Sequence, residues 1–197
     1  MASGELLSGF ALTEPGAGSD LTAVQTTATL EGDHYVINGR KLFISNARLG
    51  GSVGLVCQVN GKPATILVDL PKVEDATFRF ESYGIYALHH LWNRGMVFTD
   101  FRVPKENLLD ATRGNTVRGD GLTIAYHGLN RGRVALCANA GGTLAALLAN
   151  RVPWAKERFT YNKAIGERQL VEERFGKAAA YIVGCEAIST CLLYTSD

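Results

Sequence analysis

Phe10-Ala-Leu-Thr-Glu-Pro-Gly-Ala-Gly-Ser-Asp20 is the stretch on which the reading of this chain turns. Its apolar start suits a strand, and that strand ends in a hydroxyl and a carboxylate at Thr13 and Glu14. A turn follows through Pro15, Gly16 and Gly18, where proline presets one backbone angle and glycine reaches conformations closed to other residues. A loop of this kind at a strand end can bring main chain close to a ligand.

Downstream, Gln25-Thr-Thr-Ala-Thr-Leu30 is rich in β-branched residues, Glu31-Gly-Asp33 is a turn, and Tyr35-Val-Ile37 alternates. Asn38-Gly39 is a tight-turn signal before Lys41-Leu-Phe-Ile44. Ser52 to Val59, Asn60-Gly61 and Ala64 to Leu70 predict another hairpin, and Thr77 to Phe80 and Met96 to Val103 two further strands. Short strands separated by Gly and Pro turns predict an antiparallel barrel or sandwich over residues 1–110.

After Pro104 the period changes. Val134, Cys137, Ala138, Leu144, Leu147 and Leu148 recur at helical steps within Leu122 to Phe159, predicting one helix kinked near Pro153 or two in sequence. Gln169 to Ser189 predicts a second helix, with Val171, Phe175, Ala178, Ala179 and Ile182 on one face. The expected fold class is therefore α+β, a β domain followed over residues 111–190 by the start of a helical bundle whose outer faces lack partners. Cys191 to Asp197 departs from the helical pattern and can be back-translated to a sequencing-library adapter, so 191–197 is expected to be a non-native tail.

A formal net charge of +1 gives no field favouring nucleic acid or an anionic membrane. Cys57, Cys137, Cys185 and Cys191 form no close pair or framework, which suits free thiols in a reducing compartment. No run of about eighteen apolar residues could span a bilayer, so no membrane span is expected, and the first residues lack a signal-peptide pattern. No G-x-G-x-x-G opens a βαβ unit and no Walker loop occurs. His89 and His90 are adjacent and would face opposite sides of a strand, while His34 and His127 stand alone, so no metal site is expected. Arg118-Gly119-Asp120 reads as a loop between domains, and Ser8, Ser19 and Ser45 lie in no nucleophile-elbow pattern.

The stretch from Thr13 to Asp20 resembles the Thr-Glu-Pro-x-x-Gly-Ser-Asp signature of the acyl-CoA dehydrogenase family, flavoenzymes that desaturate acyl thioesters. Asn38 to Asn46 and Gly95 to Asn107 resemble further family segments in the family's order. Glu157-Arg-Phe-Thr-Tyr161 resembles another, with Asn162 where the family has glycine; asparagine also tolerates a left-handed backbone. The resemblance implies FAD as cofactor and a β-barrel middle domain. It places Phe10, Leu12 and Thr13 along the flavin, with the Thr13 hydroxyl at the ring edge. Phe43 and Ser45 stand where many members carry Trp and Thr over and beside the ring. Arg158 and Thr160 would reach the flavin pyrophosphate of an adjacent subunit, with Arg168 and Gln169 nearby, because the guanidinium fork matches phosphate oxygens. Ser19, Asn130 and Arg133 would contact the acyl-CoA. Read without the resemblance, Thr13-Glu14-Pro15 is a capped turn, Phe43 a core aromatic and Arg158 a solvated surface residue.

The implied reaction is α,β-desaturation in fatty acid β-oxidation: a carboxylate takes the α-proton while the β-hydrogen leaves as hydride to the flavin. One branch of the family carries that base at the position of Gly132; the commoner branch carries it on a later helix, so the base is expected beyond residue 197 and the chain is expected to be an inactive fragment. Glu14 is structural in the family. The segment Tyr86 to Asn93, which would border the flavin, departs from the family pattern, being bulkier than its Gly-rich turn. An electron-transfer flavoprotein or similar acceptor, a homodimer or homotetramer, and a cytoplasmic or mitochondrial matrix location are implied with it. An acyl-CoA oxidase or flavin monooxygenase of the same fold remains an alternative, as does a non-catalytic binding or assembly module.

Overall fold

The structure, a computed structural model, describes residues 3, 5–86, 90–109 and 121–195. His89, the expected domain boundary through Arg118-Gly119-Asp120, and the last two residues of the tail lie outside the described residues. The chain divides into two compact units, Met1–His127 and Gly128–Asp197.

The first unit is one eight-stranded sheet. Its strands are β1 (Ser8–Ala11), β2 (Thr27–Glu31), β3 (His34–Ile44), β4 (Ser52–Val59), β5 (Lys62–Asp69), β6 (Phe78–Glu81), β7 (Arg94–Pro104) and β8 (Leu108–Leu109). They run β6-β7-β3-β2-β4-β5-β8, with β1 also against β4. The α+β class is as expected, but the sheet is mixed: β1 pairs β4 in parallel from Ser8↔Ser52 to Ala11↔Leu55, and β2 meets β4 in parallel at Thr27↔Gln58. The stretch from Leu12 to Thr26 therefore leaves the sheet at β4 and returns to it a few residues further along. The core packs Ile37, Val53, Leu55, Cys57, Ile66, Val68 and Met96 with a cluster of Phe78, Phe98 and Phe101, whose ring centroids lie 5.2 to 5.9 Å apart.

Asn60 and Gly61 join β4 to β5 with φ of 51° and 71°, the turn hand that matches strand twist. Asn38-Gly39 does not turn. β3 runs on through it at a register shift against β7. Asn38 donates from Nδ2 to Asp100 Oδ1 and accepts from the Asp100 N–H, both at 2.9 Å, and a Cβ on Gly39 would collide with Thr26. Here glycine marks a bulge and a close backbone approach.

The gap between β1 and β2 is closed by a buried ion pair. Lys41 on β3 and Glu14 have side-chain exposures of 0% and 5%, with Nζ 2.7 Å from Oε1. Nζ also donates to the Leu12 carbonyl at 3.0 Å and the Val56 carbonyl at 2.6 Å. Glu14 accepts from the Gln25 N–H at 2.6 Å and the Thr26 N–H at 3.0 Å. Burial alone would raise the Glu14 pKa, yet the Lys41 charge and these hydrogen bonds outweigh it and hold the carboxyl below its ordinary value. Burial also pushes the Lys41 ammonium down, against the pull of Glu14.

In the second unit α1 (Gly121–Glu157), which begins in the first, is followed by a hairpin of β9 (Phe159–Thr160) and β10 (Lys163–Ala164) and by α2 (Gln169–Thr195). α1 is a single helix with Pro153 inside it. α2 continues through Thr195, so the expected break at Cys191 is not seen. The less exposed positions step by three and four, Val134, Cys137, Gly141, Leu144 and Leu148 on α1 and Val171, Phe175, Ala178 and Ile182 on α2. Gly141 permits the closest approach, since a Cβ there would meet Cys185 Cβ at 3.2 Å. By length and composition alone both helices are apolar enough to cross a membrane, a test that helices of a soluble protein also pass.

Lys41→Met should cost about 3–5 kcal/mol, because it strands a buried carboxylate. Glu14→Gln should cost a similar amount, and the double variant clearly less than the sum. Additive losses in a denaturation cycle would disprove the coupling. The sign with pH follows from the lowered Glu14 pKa: its stabilisation is fully present above the unfolded value of about 4.3 and is lost as pH falls through the folded value. Glu14→Gln should remove that part of the acid dependence; an unchanged profile would show that other groups set it.

Candidate functional site

β1 and the residues after it, which carry Phe10, Leu12 and Thr13, run beside the end of β3, which leads through Phe43 to Ser45. Glycine makes this possible. A Cβ on Gly9 would stand 2.6 Å from the Ser45 carbonyl, and one on Gly54 3.1 Å from the Phe10 ring, so β1 lies against the Ser45 backbone while the Phe10 ring lies on β4. Backbone bonds fix the junction: the Leu42 N–H donates to Thr13 O at 2.8 Å, and Asn46 Nδ2 to Ser8 O at 3.4 Å.

Phe43 is the unusual member. It sits at φ 55°, the left-handed region that a bulky side chain rarely enters, within a second register shift between Lys41 and Ile44. The bulge turns the ring outward, leaving it 54% exposed. Holding an exposed aromatic there costs about 1–3 kcal/mol, which makes Phe43 a candidate functional position. The Tyr83 ring meets it edge-on at 5.7 Å, and Tyr83 crosses β7 at Gly95, where any Cβ would collide with the phenol. The Tyr83 hydroxyl donates to Glu81 Oε2 at 3.2 Å, and Arg40 pairs with the same carboxylate at 2.7 Å. Burial raises the Tyr83 pKa, so the phenol stays a donor.

Ser19 is exposed on the glycine turn, beside Asp20, whose Oδ1 accepts from the Thr22 N–H at 3.0 Å. In the second unit Arg133 Nη1 donates to Asn130 Oδ1 at 2.7 Å, one helical turn apart on the exposed face of α1. Arg168 Nη2 donates to Thr160 Oγ1 at 2.8 Å and to its carbonyl, and its guanidinium lies 5.9 Å from the Tyr161 ring centre. Tyr161 and Asn162, at φ 52° and 57°, form the two-residue turn of the β9–β10 hairpin. The Arg158 backbone is bonded to Trp154 and Ile165, while its exposed guanidinium has no partner among the described residues. Gln169 is exposed at the start of α2.

Lys41 and Asn93 escaped sequence reasoning. Lys41 looked like an ordinary strand lysine, and its only cue is the apolar run that follows it. Asn93 lies in the segment already marked as departing from the family pattern.

The donor set suits a flavin. Phe10 and Phe43 present apolar faces, Thr13 and Ser45 present hydroxyls, and Ser45 has no acceptor for its proton among the described residues. Phe43→Gly should leave the ligand-free protein as stable or raise its stability by up to about 1 kcal/mol, since glycine carries no left-handed penalty and little ring burial is lost. A loss above about 2 kcal/mol in a melt would show that the ring serves the core.

The family model described as acyl-CoA dehydrogenase, middle domain, matches residues 9–100, and that described as acyl-CoA dehydrogenase, C-terminal domain, matches residues 119–194. Glutaryl-CoA dehydrogenase of Desulfococcus multivorans is 32% identical over 196 residues, covering 92% of this chain and 46% of its own. The human mitochondrial very long-chain specific acyl-CoA dehydrogenase is 31% identical over 190 residues, 90% of this chain and 28% of its own. The Bacillus anthracis acyl-CoA dehydrogenase complexed with FAD superimposes with a TM-score of 0.79 at 27% identity, over 92% of this chain and 30% of that one. The chain thus spans less than half the length of these relatives. Two domain models of one family, matched in chain order over the strands and helices described above, make this chain a member of the acyl-CoA dehydrogenase family.

Proposed function

We propose that residues 1–110 form the flavin- and acyl-CoA-binding middle domain, and residues 111–190 the start of the C-terminal helical domain, of an FAD-dependent enzyme that desaturates an acyl-CoA between its α and β carbons. The observation carrying this reading is the strained, exposed Phe43 beside the Ser45 and Thr13 hydroxyls. Bound FAD supplies the hydride acceptor. Phe10, Leu12 and Phe43 hold its ring and keep water from it, while the Thr13 and Ser45 hydroxyls hydrogen-bond its polar edge. Arg158 and Thr160 hold phosphate oxygens across a subunit boundary, which calls for a homodimer or homotetramer. Arg168, bonded to Thr160, fixes that hairpin, with Gln169 beside it. Ser19, Asn130 and Arg133 bind the acyl-CoA.

Glu14 cannot take the α-proton, because its carboxylate is engaged by Lys41 and two backbone N–H groups. Gly132 leaves open space where one family branch places its base, so the base comes from outside these 197 residues. An electron-transfer flavoprotein or similar acceptor reoxidises the cofactor, in the cytoplasm of a bacterium or in a mitochondrial matrix. The uncovered apolar faces of α1 and α2 favour the second reading, a non-catalytic assembly module.

The two readings part on one measurement. The full chain mixed with FAD and freed of unbound dye should keep perturbed visible flavin bands, and Arg158→Ala should weaken retention roughly tenfold or more, as expected for a charge-assisted phosphate contact. A wild-type chain that keeps no flavin would overturn the flavin reading of this chain and leave the assembly module.

A further inference from the structure

We infer that Asn93 is a positioning residue of the flavin face, one that holds Phe43 in its left-handed conformation and sets the direction of the Ser45 hydroxyl. The inference rests on the flavin reading and adds a residue to it. Asn93 Nδ2 donates one hydrogen to the Phe43 carbonyl at 3.1 Å and the other to Ser45 Oγ at 3.2 Å. The Phe43 carbonyl can only accept, so the amide nitrogen must face it, Ser45 Oγ then accepts from the same nitrogen, and Oδ1 is left buried without a partner among the described residues. The amide orientation is dictated by these two contacts. Its backbone is held in turn: the Asn93 N–H donates to Leu91 O at 2.8 Å, and the Ala47 N–H to Trp92 O at 2.9 Å, tying this segment to the chain just beyond Ser45.

Two consequences follow from hydrogen-bond polarity. A carbonyl that accepts from Asn93 anchors the strained residue on its peptide side, while the Tyr83 ring anchors it on its side-chain side. Ser45 Oγ, having accepted from Asn93, has its own proton free to donate outward. Ser45 thereby becomes a donor to the acceptor-rich edge of a flavin ring. Without the Asn93 amide, the same oxygen could turn its proton inward to the Phe43 carbonyl, and the bulge would have to be ordered at the moment of binding. Preorganisation of this kind appears in affinity.

The test uses the full chain with Asn93→Asp, which keeps the shape and removes both donors, and Asn93→Ala. FAD affinity is read by titration, together with the visible band positions and the melting temperature. Wild type should bind, and Asn93→Asp should bind roughly tenfold or more weakly with shifted bands, in line with two lost hydrogen bonds. Equal affinity and unchanged bands in wild type and Asn93→Asp would overturn the inference and leave the flavin reading standing. If wild type itself bound no FAD, that reading would fall, and a stability cycle of Asn93→Ala with Phe43→Gly would judge the clamp. A smaller loss in the Phe43→Gly background supports Asn93 as the holder of position 43, and an equal loss overturns it.

Discussion

The sheet of this protein has a hole where β1 gives way to β2 along β4, and the Lys41–Glu14 pair is what fills it. Two charges removed from water cost several kcal/mol each, and their attraction offsets this only when every remaining donor and acceptor is satisfied. Here the ammonium meets three oxygens and the carboxylate meets two backbone N–H groups besides the lysine. The cluster joins the glycine-rich loop, the start of β2, the middle of β3 and the centre of β4. Neither partner is free to do chemistry, so the glutamate of the signature stretch supports a site it does not act in.

The outer end of β3 is built the opposite way. Lys41 is sealed, whereas two residues further on Phe43 is strained and exposed. The bulge between them turns one strand from core to surface within three residues, and a rigid, fully bonded segment must precede it for the strain to persist. Glycines 9 and 95 serve the same end by letting β1 and Tyr83 approach closer than a side chain would allow, and Gly54 eases the close seat of the Phe10 ring. The site is thus a place where the sheet departs from regular pairing.

How much of this could be read from the sequence depends on whether the signal was local. The Asn60-Gly61 hairpin, the strands flanking it and the two helices were legible because turn residues and apolar period act over a few positions. Asn38-Gly39 misled, since the same dipeptide serves a hairpin or a bulge, and what decides is Asp100 and Thr26, far away in sequence. The resemblance singled out Phe43 and Ser45 as candidates for the flavin face. The left-handed backbone that presents them was not legible, because a phenylalanine gives no warning of positive φ.

The acceptors around Lys41 also bear on which cation the position can hold. Leu12 O and Glu14 Oε1 come from the loop after β1 and Val56 O from β4, and a single nitrogen reaches all three. A tetrahedral ammonium directs its hydrogens along three divergent axes, whereas a guanidinium spreads five hydrogens in one plane over three nitrogens. Equal charge therefore does not make arginine a substitute here. The demand is stereochemical, a point donor at the centre of a pyramid of oxygens, and it restricts this core position to lysine more tightly than electrostatics alone would.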